Sequence, residues 1–201
     1  SGIPIYTSFE HLAKDAKPDV LLDLTNPDAV YENMHNAIRH GIRPVVGTSG
    51  LSPERIEKLQ QFAKNNEVGG MIAPNFSIGA VLMMKFSAMA ARFLVDIEII
   101  ESHHDQKVDA PSGTALKTVE MINEVREPHV QGHPDEKELI AGARGATIEG
   151  MKIHSVRLPG LLAHQEVLLG SEGELLTIRH DSFDRSCFMP GIIMSIRDVM
   201  E

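Results

Sequence analysis

The 201-residue chain carries 28 Asp and Glu against 19 Lys and Arg, a formal net charge of −9. With no long basic run able to track phosphates, it excludes nucleic acid as a partner. With 42% hydrophobic and 23% charged residues it reads as soluble and globular, and its apolar stretches fall far short of the roughly 20 residues that span a membrane.

The length suits one large domain or two small ones. The opening residues lack a signal-peptide pattern, and the single Cys187 allows no internal disulfide; together these predict a cytoplasmic location. In chain order, "DVLLDL" (19–24), "RPVVGT" (43–48) and "VGGMIAPN" (68–75) are short apolar runs that end in small or polar residues. They predict buried parallel strands. The first intervening segment, "NPDAVYENMHNAIRHG", predicts a helix with Asn26 as cap, Pro27 at its first position and Gly41 closing it. The second, "SPERIEKLQQFAKNN", repeats the pattern with Ser52 and Pro53. Alternation of this kind predicts a right-handed βαβ sheet with helices on both faces.

After Asn75 the pattern changes. "SIGAVLMMKFSAMAARFL" (77–94) predicts a long Met-rich helix buried between layers. "DIEIIES" (96–102) reads as a strand, and "GTALKTVEMINEV" as a helix offering Leu116, Val119, Met121 and Ile122 to a core. Residues 126–150 are polar and Gly-rich, the mark of a surface excursion. Strands at 152–158, 164–170 and 174–180 follow, forming a sheet whose apolar face needs cover. "RSCFMPGIIMSIRDVM" predicts a helix returning to the first sheet.

The carboxyl ends of a parallel sheet are where such folds bind ligands. Here they read Asp23 to Pro27, Gly47-Thr48-Ser49-Gly50 and Ala73-Pro74-Asn75-Phe76. Each offers small residues, hydroxyls or an amide suited to the flat polar head of a nicotinamide, although ordinary turn chemistry uses the same residues.

The stretch "ESHHDQKVDAPSGTA" (101–115) concentrates the remaining chemistry. On a continuous strand His103 and His104 point to opposite faces, which weakens a zinc reading that would recruit Asp105 or Asp109, and no zinc-type spacing occurs elsewhere. Pro111 and Ser112 lead into a helix whose first amides, at Gly113 and Thr114, are free donors at the positive end of a dipole. Lys107 adds a full positive charge. The combination fits a carboxylate-bearing substrate beside a histidine able to move protons near neutral pH; a capped helix with a solvated lysine is the plainer alternative.

This stretch resembles the signature of the 4-hydroxy-tetrahydrodipicolinate reductases, also called dihydrodipicolinate reductases, of bacterial diaminopimelate and lysine biosynthesis. "DLTNPD", "VVGTSG", "APNFSIG", "GHPDEKE", "HSVRLPGLLAHQEVLLGSEGE" and "IRHDSFDRSCFMPG" resemble further family segments in family order. The resemblance implies His103 as proton donor or acceptor, Lys107 as proton donor, His104 as a substrate contact, and Gly113 with Thr114 as an amide cradle for a substrate carboxylate. It implies that Gly47, Thr48, Ser49, Ala73, Pro74, Asn75 and Phe76 line the nicotinamide end of NADH or NADPH. It also implies a dicarboxylate substrate and a homotetramer.

The resulting expectation is an α/β chain in two regions. An incomplete Rossmann-like dinucleotide-binding domain with a parallel sheet spans 1–76, completed by 187–201. An α+β substrate-binding and oligomerisation domain with a mixed sheet spans 77–186. The family's glycine-rich turn is not found in these residues, so the 201 residues alone are expected to bind cofactor weakly and turn over slowly. Two alternatives compete: a zinc-dependent hydrolase using His103, His104 and Asp109, and a truncated relative that only assembles.

Overall fold

The computed structural model describes residues 2–201, and the chain divides into two compact units. The first runs up to Pro74 and includes Pro190–Glu201. Its elements are α1 (Phe9–Asp15), β1 (Val20–Asp23), α2 (Val30–Arg39), β2 (Arg43–Val46), α3 (Pro53–Asn65) and β3 (Met71–Ile72). The strands form a parallel sheet in the order β1-β2-β3. Val30, Met34 and Ile38 recur every four residues on α2, so one face of that helix is apolar. It packs with Val46 and Leu59 into a core.

Three details depart from the sequence pattern. Helix α2 begins at Val30, not at Pro27, because the Asn26 side chain accepts from the amides of Asp28 and Ala29 at 3.0 and 3.1 Å and wraps 26–29 into a turn first. Strand β3 is only two residues long. Arg43 and Gly47 donate toward β1, so the alternation of the ladder turns position 44 toward β3, and Pro44 has no N–H to give. Pairing with β3 accordingly starts at Val45. The short helix α1 carried no signal strong enough to single out.

The second unit spans Asn75–Met189 and contains α4 (Ile78–Ala90), β4 (Asp96–His103), α5 (Gly113–Asn123), β5 (Ala146–Ile148), β6 (Met151–Arg157), β7 (Ala163–Ser171) and β8 (Glu174–Ser182). The sheet order is β5-β6-β4-β7-β8, with β4 and β6 parallel and the other pairs antiparallel. Period-2 alternation puts Ile97 and Ile99 of β4, Met151 and Ile153 of β6, and Val167 and Leu169 of β7 on one face, against Ala115, Val119 and Ile122 of α5 and Ala91 after α4. Full burial stabilises each large side chain by roughly 1.5–3 kcal/mol.

The sheet's apolar face is therefore covered by the chain's own helices, and no second copy is needed for that purpose. Helix α4 buries Ala80, Met83, Met84 and Ser87, while Leu82, Phe86 and Met89 are exposed; it is one-sided, not sandwiched between layers. On α5 the buried residues are Ala115, Thr118, Val119 and Ile122, and Leu116 faces outward. The 126–150 excursion is tied down by Arg126, which donates to the carbonyls of Val95 and Glu149, and by the Gln131 amide, which bonds both main-chain groups of Ile97. It contributes one edge strand, β5. After a 3-10 turn over Arg185–Phe188, α6 (Met189–Asp198) begins, carrying Pro190 in its first turn, where no N–H is required.

Candidate active site

Glu101 and His103 lie two apart near the end of β4, so they share a face, and the carboxylate accepts the His103 Nδ1 proton at 2.6 Å. Glu101 is fully buried. Arg157, opposite His103 on β6, grips the same carboxylate with Nη2 to Oε1 at 2.8 Å and Nη1 to Oε2 at 2.9 Å, and the Ser112 amide adds a bond to Oε1 at 3.3 Å. Burial alone would raise the pKa of this carboxyl. Bonds from His103, Arg157 and Ser155 outweigh it and bring the group down to about 2.

Beyond His103 the chain leaves the strand. The Lys107 amide donates to the His104 carbonyl at 3.2 Å, so His104 sits in a turn instead of on the strand's opposite face. Lys107 Nζ bonds Asp109 at 2.6 Å, and that contact first of all holds the Asp109 carboxyl below its ordinary range. Arg157 also donates to the Asp109 carbonyl at 2.7 Å, fastening the loop to β6. Ser112 caps α5 by accepting from the Ala115 amide at 3.2 Å, and the first intrahelical bond is Leu116 to Ser112. The amides of Gly113 and Thr114 thus precede the helical ladder. No heavy atom would meet a side chain at Gly113, so a ligand can reach that backbone.

The Asn75 side chain donates to Thr114 Oγ1 at 3.1 Å and accepts from the Ser77 amide at 2.8 Å, linking the start of α4 to the start of α5. His103, Asn75, Thr114, Gln165 and His180 line one cavity. Burial lowers the proton affinity of His180. A larger cavity of about 360 Å³ involves Ser102, His164, Arg179 and Asp181, on the sheet face opposite His103. Among the described residues no group of three or more His, Cys, Asp or Glu side chains is placed to hold a metal ion.

In the first unit, Gly47, Thr48 and Ser49 follow β2. Thr48 Oγ1 donates to Asp23 Oδ1 at 2.5 Å, and Asn33 donates to the other oxygen at 2.7 Å. Burial opposes ionisation of Asp23, but these bonds and those from Thr25 keep its carboxyl below the ordinary range. The Thr48 hydroxyl is thus spent on the fold, while Gly47 and Ser49 remain exposed. The Ala73 amide bonds the Val46 carbonyl at 2.8 Å, Pro74 is exposed and Phe76 is buried. A flat, polar cofactor end fits exposed backbone of this kind.

Residues 1–76 match the family profile "Dihydrodipicolinate reductase, N-terminus" and residues 79–201 match "Dihydrodipicolinate reductase, C-terminus". The chain belongs to the dihydrodipicolinate reductase family. The 4-hydroxy-tetrahydrodipicolinate reductase of Geobacillus thermodenitrificans is 59% identical over 197 residues, covering 98% of this chain and 74% of that one. That of Geobacillus kaustophilus is 59% identical over 202 residues, covering 100% of this chain and 76% of that one. A solved structure, "Dipicolinate bound Dihydrodipicolinate reductase from Paenisporosarcina sp. TG-14", superposes with a TM-score of 0.86 at 54% identity, covering 98% of this chain and 74% of that one. Members of the dihydrodipicolinate reductase family are NAD(P)H-dependent oxidoreductases, and the N-terminal family segment is the cofactor-binding one.

Four residues of this candidate site were not marked by the sequence pattern: Glu101, Arg157, Gln165 and His180. The Glu-x-His spacing on a strand was a usable signal for the first, since alternate residues share a face. Arg157 comes from a strand more than fifty positions away, and only the β4–β6 pairing reveals it.

Proposed function

We propose that this chain, as an NAD(P)H-dependent reductase of diaminopimelate and lysine biosynthesis, converts 4-hydroxy-tetrahydrodipicolinate to tetrahydrodipicolinate. The change replaces a hydroxyl by hydrogen, so it takes up one hydride and one proton and releases one water. The observation that carries the reading is the buried Glu101–His103 pair opening on a cavity that Thr114 also lines.

In this reading His103 delivers the proton from Nε2, because Nδ1 is held by Glu101. Lys107 and the amides of Gly113 and Thr114 hold a carboxylate of the substrate, with His104 as a further contact and Lys107 as a second proton donor. The dipicolinate-bound relative supports a planar dicarboxylate as ligand. Gly47, Thr48, Ser49 and the run Ala73, Pro74, Asn75, Phe76 would line the nicotinamide end of the cofactor, which when bound supplies the hydride. Thr48 and Asn75 would act there chiefly by fixing the backbone, since their side chains have protein partners.

No helix among the described residues is long and apolar enough to cross a membrane, and a cytoplasmic location belongs to this reading. The enzyme's assembly is a homotetramer formed through the second unit. The test is His103→Ala, assayed by cofactor oxidation: kcat should fall by about 10² or more, the worth of a placed acid. Wild-type turnover would overturn the assignment.

A further inference from the structure

We infer that Glu101 is a positioning residue for the reduction, fixing which ring nitrogen of His103 faces the cavity with its lone pair or its proton. The inference rests on the reading of His103 as the proton-transferring group.

A carboxylate offers about four acceptor positions and no donor. Glu101 accepts from His103 Nδ1 at 2.6 Å, Arg157 Nη1 at 2.9 Å, Arg157 Nη2 at 2.8 Å and the Ser112 amide at 3.3 Å, with the Ser155 hydroxyl as a further donor. Because the acceptor is an anion, Nδ1 of His103 must carry hydrogen in both charge states of the ring. The second proton of the imidazolium, the one that leaves, is therefore always on Nε2. After transfer the neutral ring retains its Nδ1–H bond and is ready to be reprotonated at Nε2 without turning.

A buried Glu–Arg pair by itself can be structural and need not serve chemistry. What distinguishes this one is that its carboxylate is shared. Arg157 donates to each oxygen, and Oε2 also accepts from His103, while Oε1 also accepts from the cap residue of α5. One group thus aims the proton donor and anchors the first turn that presents Gly113 and Thr114.

Glu101→Gln tests this with little change of shape. With its carbonyl in the place of Oε1, where Arg157 Nη2 and the Ser112 amide donate, the amide nitrogen of Gln replaces Oε2 and donates to Nδ1, moving the neutral ring's hydrogen to Nε2, the wrong tautomer for uptake at that atom. The expected result is a kcat lower by about hundredfold, with the KM for the dicarboxylate and binding of dipicolinate changed by no more than about threefold. Nitrogen-15 NMR of the histidine rings should show neutral His103 as the Nδ1–H tautomer in the wild type and as Nε2–H in the variant. Unchanged kcat and tautomer in Glu101→Gln, with His103→Ala inactive, would overturn the positioning role alone. Full turnover in His103→Ala would overturn the site and this inference together. Should Glu101→Gln not fold, the wild-type spectrum still decides, because an Nε2–H tautomer there contradicts the inference.

Discussion

Arg157 and Glu101 meet as a two-point fork, Nη1 to Oε2 and Nη2 to Oε1, with the carboxylate fully buried. Because the carboxyl is lowered from 4.5 to about 2 in the fold, its contribution is complete above the unfolded value and is lost as pH falls from about 4.5 toward 2. The shift corresponds to roughly 3 kcal/mol at neutral pH. Urea unfolding midpoints should fall steeply across that window in the wild type and less steeply in Glu101→Gln. Parallel slopes for the two proteins would contradict the assignment.

Lys107 serves two ends. Its side chain is partly buried and its ammonium is paired with Asp109, yet it stands in the loop that leads to the α5 amides. Lys107→Ala should lower kcat and also raise the KM for the dicarboxylate, about tenfold or more in each, because both a proton donor and a charge are lost. Steady-state kinetics at varied substrate measures the split, and a change in kcat alone would remove the binding role.

The Thr48–Asp23 bond shapes the loop after β2. Thr48→Val keeps the volume but removes one of the three donors to Asp23 Oδ1, the others being the amide and hydroxyl of Thr25. A stability loss of about 1–3 kcal/mol is expected from the underpaired buried carboxylate, together with a higher KM for NAD(P)H and little change in the KM for the dicarboxylate. Thermal melts and cofactor titrations read the two effects separately.

Assembly is tested on the sheet face opposite the helices. The cross-strand register places Ile100, Val156, Leu168 and Leu175 there beside the ion pairs Glu98–His154 and Glu166–Arg179. If copies meet through this face, Leu168→Glu should shift the protein from tetramer to smaller species in sedimentation velocity while leaving its far-ultraviolet spectrum unchanged. A wild-type monomer would contradict the homotetramer.

Local chemistry is what the sequence declared best. The Ser52-Pro53 and Ser112-Gly113 helix starts and the three strands after residue 150 follow from caps and period-2 alternation within a few neighbouring residues. Strand β3 and helix α2 were misjudged at their ends because Pro44 acts on the strand beside it and Asn26 forms a turn before the helix. The exposure of Leu82, Phe86 and Met89 could not be read from an all-apolar helix, whose composition is the same on either side. At the site, the motif held the histidine proposed for proton transfer and the amides proposed as an anion cradle, which lie at the two ends of the short connection between β4 and α5. Their support, Arg157 on β6 and Asn75 before α4, required pairings between segments far apart in the chain.

The second unit is one uninterrupted segment, whereas the first resumes only at Pro190. On a ribosome the whole of Asn75–Met189 is therefore made before α6 exists. The unit that carries Glu101, His103 and Lys107 can close its core while its companion still lacks α6. The order of synthesis and the order of completion are thus inverted: the portion begun first is finished last.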